Sequence, residues 1–119
     1  MPLRIAHVFA GIAVTDQPAA LPWYERFFER PPDVAVSDRE SRWRATETGW
    51  IFVVGDSARV GTSLATLLVD DPDAHMAALG KRGLSLPPVE TAPGLYRRVP
   101  LTDPDGNAIM LGQSLNPSG

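Results

Sequence analysis

Two stretches of this chain occur twice in the same order, and that repeat constrains the fold more than any other feature. Ala10-Gly11-Ile12-Ala13-Val14-Thr15-Asp16 returns as Ala65-Thr66-Leu67-Leu68-Val69-Asp70-Asp71 at an offset of 55, and Trp50-Ile51-Phe52-Val53-Val54-Gly55-Asp56 returns as Asn107-Ala108-Ile109-Met110-Leu111-Gly112-Gln113 at an offset of 57. Between the repeated strands each half holds a helix candidate beginning at an aspartate, Asp16 or Asp71, whose carboxylate can accept hydrogen bonds from the first free backbone amides. The second helix, Pro72 to Arg82, has proline just inside its start, Lys81 and Arg82 in its last turn and Gly83 just past it. The first, Pro18 to Glu29, carries Pro22 internally; the missing N–H deletes a hydrogen bond to the Pro18 carbonyl and predicts a kink. Its apolar stripe is Leu21, Tyr24, Phe27 and Phe28.

After each helix come short β-type segments bounded by turn residues: Val34 to Ser37, Arg42 to Thr46 and Trp50 to Gly55, then the region of Val89, Tyr96 to Leu101 and Asn107 to Gly112. The order is βαβββ, written twice. About eight strands with only two helices cannot alternate as a doubly wound α/β sheet does, so the class is α+β. At 119 residues there is room for a single domain spanning 1–119, with module one at about 7–56, module two at about 62–113 and a tail at 114–119.

Composition narrows the function. Eleven basic against 14 acidic residues leave a net charge of −3, against the clustered positive charge that nucleic acid requires. No cysteine is present, which excludes disulfides, thiolate metal sites and a cysteine nucleophile. No apolar run reaches membrane-spanning length and no secretion signal opens the chain, so a cytoplasmic protein without a membrane partner is expected. There is no Ser-His-Asp order, phosphate-cradling glycine loop or His-rich metal motif.

Val14-Thr15-Asp16 followed by Trp23-Tyr24, together with Asp103-Pro104-Asp105-Gly106-Asn107 before the last apolar strand, resembles the vicinal oxygen chelate superfamily. That group includes glyoxalase I, bleomycin-resistance proteins and extradiol dioxygenases, and the likeness covers nearly the whole chain. It implies two tandem βαβββ modules forming a curved mixed sheet around a cleft, commonly completed by dimerisation. The resemblance also implies where metal ligands would stand in metal-dependent members: at Phe9 and Leu64 in the first strand of each module, and at Val53 and Met110 in the last. None of these offers the nitrogen or oxygen donor that a divalent ion such as zinc needs, so no metal and no cofactor is expected.

Strand alternation then assigns the cleft lining, since successive side chains point to opposite faces and ligand-equivalent positions face the cleft. The expectation is Phe9, Gly11 and Ala13 from the first strand, Ile51 and Val53 from the fourth, Leu64, Thr66 and Leu68 from the fifth, and Ala108 and Met110 from the eighth. Val8, Ala10, Ile12 and Val14, with Ala65, Leu67 and Val69, then pack under the helices. Small Gly11 and Ala13 leave room for a ligand, and Met110 can adapt to one. If Val99 and Leu101 pack under a helix, Tyr96, Arg98 and Thr102 face the cleft, where Arg98 could pair with a carboxylate or stack on a ring. The other reading of Arg97 and Arg98 is solvated edge charge.

Two side chains could move a proton. His7 shares the parity of Phe9 but lies one pleat outside it with no orienting carboxylate nearby in sequence, and is otherwise a partly exposed histidine at a strand start. Tyr96 is the second. His75, beside Asp71 and Asp73, reads as structural, while Trp43 and Trp50 could close on a ligand between their rings or serve as core and dimer contacts. The expected function is metal-free binding of an apolar or aromatic compound, such as an antibiotic or metabolite, in the sheet cleft of a homodimer. The alternative is an enzyme of the same fold, a lyase, isomerase or dioxygenase-like protein, acting through His7, Tyr96 or an atypical metal site.

Overall fold

In the computed structural model, which describes residues 3–115, the first helix, α1, spans Gln17–Phe28 and passes through Pro22. Asp16 does not cap it with its side chain. An N-cap carboxylate reaches the amides two or three positions on, and Pro18 removes one of them; the Asp16 carbonyl instead accepts from the Ala20 N–H at 3.0 Å. The second helix, α2, spans Pro72–Lys81, and here Asp71 does cap, accepting from the Ala74 N–H at 3.1 Å. Gly83 follows at φ 85, a conformation that a β-carbon disfavours.

The strands are β1 (Val8–Val14), β2 (Val34–Ala35), β3 (Glu40–Arg44), β4 (Gly49–Gly55), β5 (Leu64–Leu68), β6 (Glu90–Ala92), β7 (Tyr96–Thr102) and β8 (Ala108–Ser114). They form two four-stranded mixed sheets, ordered β1-β4-β3-β2 and β5-β8-β7-β6, neither closed on itself. In each, the first and last strands of a module run parallel and the others pair antiparallel. The expected βαβββ unit is thus present twice, an α+β fold. Residues 116–119 of the expected tail lie outside the described residues.

The register corrects one alignment. Phe9 pairs with Trp50, and Leu64 with Ala108, so the last strands of the two modules correspond at an offset of 58 while the first correspond at 55. Matching Gly55 to Gly112 by letter had set the last strands at 57. Because side chains alternate with period two, that single step turns every residue of β4 to the other face.

Val53 and Ile51 therefore do not face a cleft. They lie with Ile12 and Val14 in the core, where Val53 is fully buried. The same core takes Tyr24 and Phe27 from α1, Leu79 from α2, Trp43 from β3, and Val99, Leu101, Ile109 and Leu111 from the second sheet. Val8 and Ala10 share the parity of Ile12 but are exposed at the start of β1.

A buried polar cluster ties the modules together. Asp103 accepts from the Tyr24 hydroxyl of the other module, from Asn107 Nδ2 at 2.9 Å and from the Asn107 N–H at 2.7 Å. Asn107 Nδ2 also donates to the Ala13 carbonyl at 2.7 Å, and the Ala13 N–H donates to Ser63 Oγ at 3.0 Å. Burial, then the hydrogen bond to Asp103, push the Tyr24 hydroxyl far above its ordinary ionisation range, so it stays a proton donor. The Asp-Pro-Asp-Gly-Asn turn closes with Gly106 at φ 90. No helix among the described residues is long and apolar enough to cross a membrane.

Candidate ligand-binding site

With one face of each sheet on the common core, the other face is left open, and the register states what it carries. In the first sheet it presents Phe9 and Gly11 from β1, Trp50, Phe52 and Val54 from β4, and Glu40, Arg42 and Arg44 from β3. Phe9 and Trp50 stack with ring centroids 5.8 Å apart and planes within 11°. The Arg42 guanidinium sits 5.3 Å from the Phe9 centroid and is held by Glu40 at 2.7 Å, while Arg44 sits 5.7 Å from the Trp50 centroid. The space expected beside Gly11 is taken by Phe52: a β-carbon at Gly11 would stand 2.4 Å from Phe52 Cζ.

In the second sheet the open face carries Leu64, Thr66 and Leu68 from β5, Ala108 and Met110 from β8, and Tyr96, Arg98, Pro100 and Thr102 from β7. Val99 and Leu101 pack in the core, which selects this parity for β7. Arg98 lies 4.8 Å from the Tyr96 ring centroid and pairs with Glu90 of β6 at 3.0 Å. Its charge is therefore shared with a carboxylate instead of being held for a ligand alone.

Of the residues expected to line a cleft, Phe9 and Gly11 lie on the open face of one sheet, and Leu64, Thr66, Tyr96, Arg98 and Met110 on that of the other. Val53 and Ile51 are misplaced, for the register reason given above, and Ala13 keeps the parity of Phe9 but is buried. Sequence reasoning missed Trp50 and Phe52 as partners of Phe9 and Gly11, although the run of apolar residues in β4 left both parities open. Trp43 and Trp50 do not close on a common guest, because Trp43 is buried, donates to the Arg30 carbonyl at 3.1 Å and stacks on Phe28.

Leu64 is 75% exposed, Leu68 65% and Phe9 46%. Large apolar groups so exposed mark a surface meant to be covered. Its chemistry is aromatic stacking with guanidinium edges, suited to a flat or apolar molecule.

His7 is exposed immediately before β1, and Tyr96 begins β7 in the other sheet. Among the described residues neither the imidazole nor the Tyr96 hydroxyl has a hydrogen-bond partner, so nothing orients either one for proton transfer. Metal chemistry fares no better: among the described residues no three His, Cys, Asp or Glu side chains come together. The open-face positions Phe9, Leu64 and Met110, and now Phe52 in place of Val53, carry no hard donor, so these residues do not fit a metal of the zinc or iron type.

No family model and no curated protein matches the sequence. Solved structures do. A glyoxalase/bleomycin resistance protein from Catenulispora acidiphila is 33% identical over 90% of this chain and 96% of its own, with a TM-score of 0.84. An antibiotic-binding protein from a Streptomyces species is 26% identical over 95% of this chain and 99% of its own, with a TM-score of 0.70. The bleomycin-binding protein of Streptomyces verticillus, solved with copper(II)-bleomycin, is 17% identical over 92% and 97%, with a TM-score of 0.71; at that identity the likeness is one of fold.

Proposed function

The chain belongs to the glyoxalase/bleomycin resistance protein family of the vicinal oxygen chelate superfamily, and from that premise we propose that it binds an apolar or aromatic small molecule on its open sheet face without metal and without chemical change. The observation that carries this reading is the exposed Phe9–Trp50 stack with guanidiniums along its edges, set on a face that the single chain leaves uncovered. Relatives of the same fold that bind antibiotics give the reading its class of guest. A catalytic role through His7 or Tyr96 has no positioned partner to support it.

A second copy of the chain completes the site. Exposed Leu64, Leu68 and Phe9 are too apolar to leave facing water, and a dimer that laid one open face against another would enclose the ligand between them. The homodimer is part of the same proposal.

The test is titration with polycyclic aromatic antibiotics, followed by tryptophan fluorescence. A binding guest quenches the wild type, loses most of that effect in Trp50→Phe, and is recovered unchanged by mass spectrometry. Light scattering at micromolar concentration reads two chains per particle. Dialysed protein holds far less than one equivalent of Zn, Ni, Fe or Mn, and added divalent ions leave its melting temperature unmoved. Turnover of the guest, or stoichiometric metal that survives dialysis, sinks the reading.

A further inference from the structure

The internal repeat, once its register is corrected, exposes an asymmetry between the two sides of the molecule. On one side Tyr24, Asp103 and Asn107 tie the modules through buried hydrogen bonds. The repeat relates first strands and helices at 55 residues and last strands at 58. The positions that answer these three on the other side are therefore Leu79, Ala45 and Gly49. A phenol, a carboxylate and a carboxamide are replaced by an alkyl chain, a methyl and a hydrogen. None can form the tie; Thr46 closes over Gly49, where a β-carbon would stand 2.6 Å from its hydroxyl oxygen, and the space left is beside Leu79 and Ala45.

That space is real. A cavity of about 470 Å³ lies between the end of α1, residues 44–46 at the end of β3 and just past it, the strand β5 and helix α2, with Leu79 and Ala45 both in its wall. The volume falls within the range of small-molecule sites, roughly 300–1,000 Å³. Phe27, Phe28, Leu67, Leu79 and Leu111 make its apolar lining. Thr66 and Leu68 of one open face and Arg44 of the other also border it, so the cavity adjoins the open faces at the edge of β5 and the end of β3.

The charged groups around the cavity are unequal. Arg30, Arg44 and Arg82 border it, against Glu29 on the wall and Asp33, which pairs with Arg30. Arg82 is paired with Glu29 and Arg30 with Asp33 at 3.0 Å. Arg44 has no ion pair among the described residues; its guanidinium donates to the Glu47 carbonyl at 3.1 Å and leans on the Trp50 ring. One guanidinium is left in surplus at the mouth of an apolar cavity.

We propose that this cavity is a second ligand site, adjoining the open sheet faces but built between α1, β5 and α2, and that it takes a molecule with an apolar body and one anionic group. The body occupies the volume between Ala45 and Leu79, and the anion meets Arg44. Because the walls come from both modules, the bound molecule supplies the module-to-module tie that the repeat lacks on this side.

The experiment titrates the full chain with 2-naphthoate and with neutral 2-naphthylmethanol, followed by calorimetry and by melting temperature. Naphthoate binds saturably and raises the melting temperature, and the alcohol binds roughly tenfold or more weakly. Ala45→Phe fills the cavity from an exposed position and removes the shift while the ligand-free protein melts as before. Should that variant fold poorly, Arg44→Gln tests the same claim by erasing the preference for the anion over the alcohol. Amide exchange slows on binding at the end of α1 and along β5, one element from each module. The proposal is overturned by equal affinity for acid and alcohol, by no saturable binding at all, by a shift that survives Ala45→Phe or is lost in Phe9→Ala, or by protection confined to one module.

Discussion

Tyr24 shows how much one side chain decides. It reads from sequence as an apolar stripe residue, and its ring does lie in the core beside Phe28 and Trp43. Its hydroxyl, however, crosses to the other module to donate to Asp103, a carboxylate only 4% exposed. Removing that donor leaves a buried acceptor short of a partner, so Tyr24→Phe should cost about 1.5–3 kcal/mol in urea unfolding. A pH signature separates this from lost packing. The folded hydroxyl ionises far above its ordinary value of 10.0, so the native state holds its proton more tightly than the unfolded chain. Stability owed to Tyr24 is full below about pH 10 and falls as pH rises toward the folded value. The steep alkaline loss of the wild type should flatten in Tyr24→Phe; equal slopes would show that the hydroxyl contributes nothing.

At the scale of elements, two helices with the same written start behave differently. Asp16 and Asp71 occupy equivalent positions, yet only Asp71 caps. Asp71 accepts from the Ala74 N–H, whereas Asp16 loses the amide two positions on to Pro18 and leaves that of Ala19, the counterpart of Ala74, without a side-chain bond. Asp71→Ala should therefore cost about 0.5–2 kcal/mol and Asp16→Ala only a few tenths. Comparable losses in chemical denaturation would contradict the assignment. The strands teach a parallel lesson. In β7 Val99 and Leu101 alternate with Arg98 and Thr102 and the facing was legible, but β4 is apolar at Trp50 through Val54 and alternation had nothing to read. Pairing with β1 settled its facing, putting Trp50 and Phe52 on the open side and Val53 in the core.

For the whole molecule, charge pairs at the surface add to the links that the core makes between elements. Arg97 beside Asp73 holds that carboxyl below its ordinary value of 3.8 and ties β7 to α2; the Arg44 N–H and the Arg30 guanidinium do the same for Asp33. Lowered carboxylates contribute stability above the ordinary value that is lost as pH falls through the folded one. The melting temperature should thus drop below about pH 4 and drop less in the double variant Asp33→Asn, Asp73→Asn. Both pairs are exposed, so salt should shrink the difference. An unchanged acid limb in the double variant would assign it to other carboxylates.

The order of elements, the duplication, the second helix from its capping Asp71 to Gly83 past its end, and the apolar character of Phe9, Leu64 and Met110 were determined by the sequence alone. These are local properties: caps, turns and donor chemistry are written residue by residue. Three things were decided only in three dimensions. The facing of β4 depends on its neighbour's register, and the binding of Asp103 by Tyr24 joins residues 79 positions apart. The cavity beside Ala45 exists because small residues of one module meet the second module's helix. Each depends on which distant side chains meet, and in a two-module chain only packing against the common core sets that.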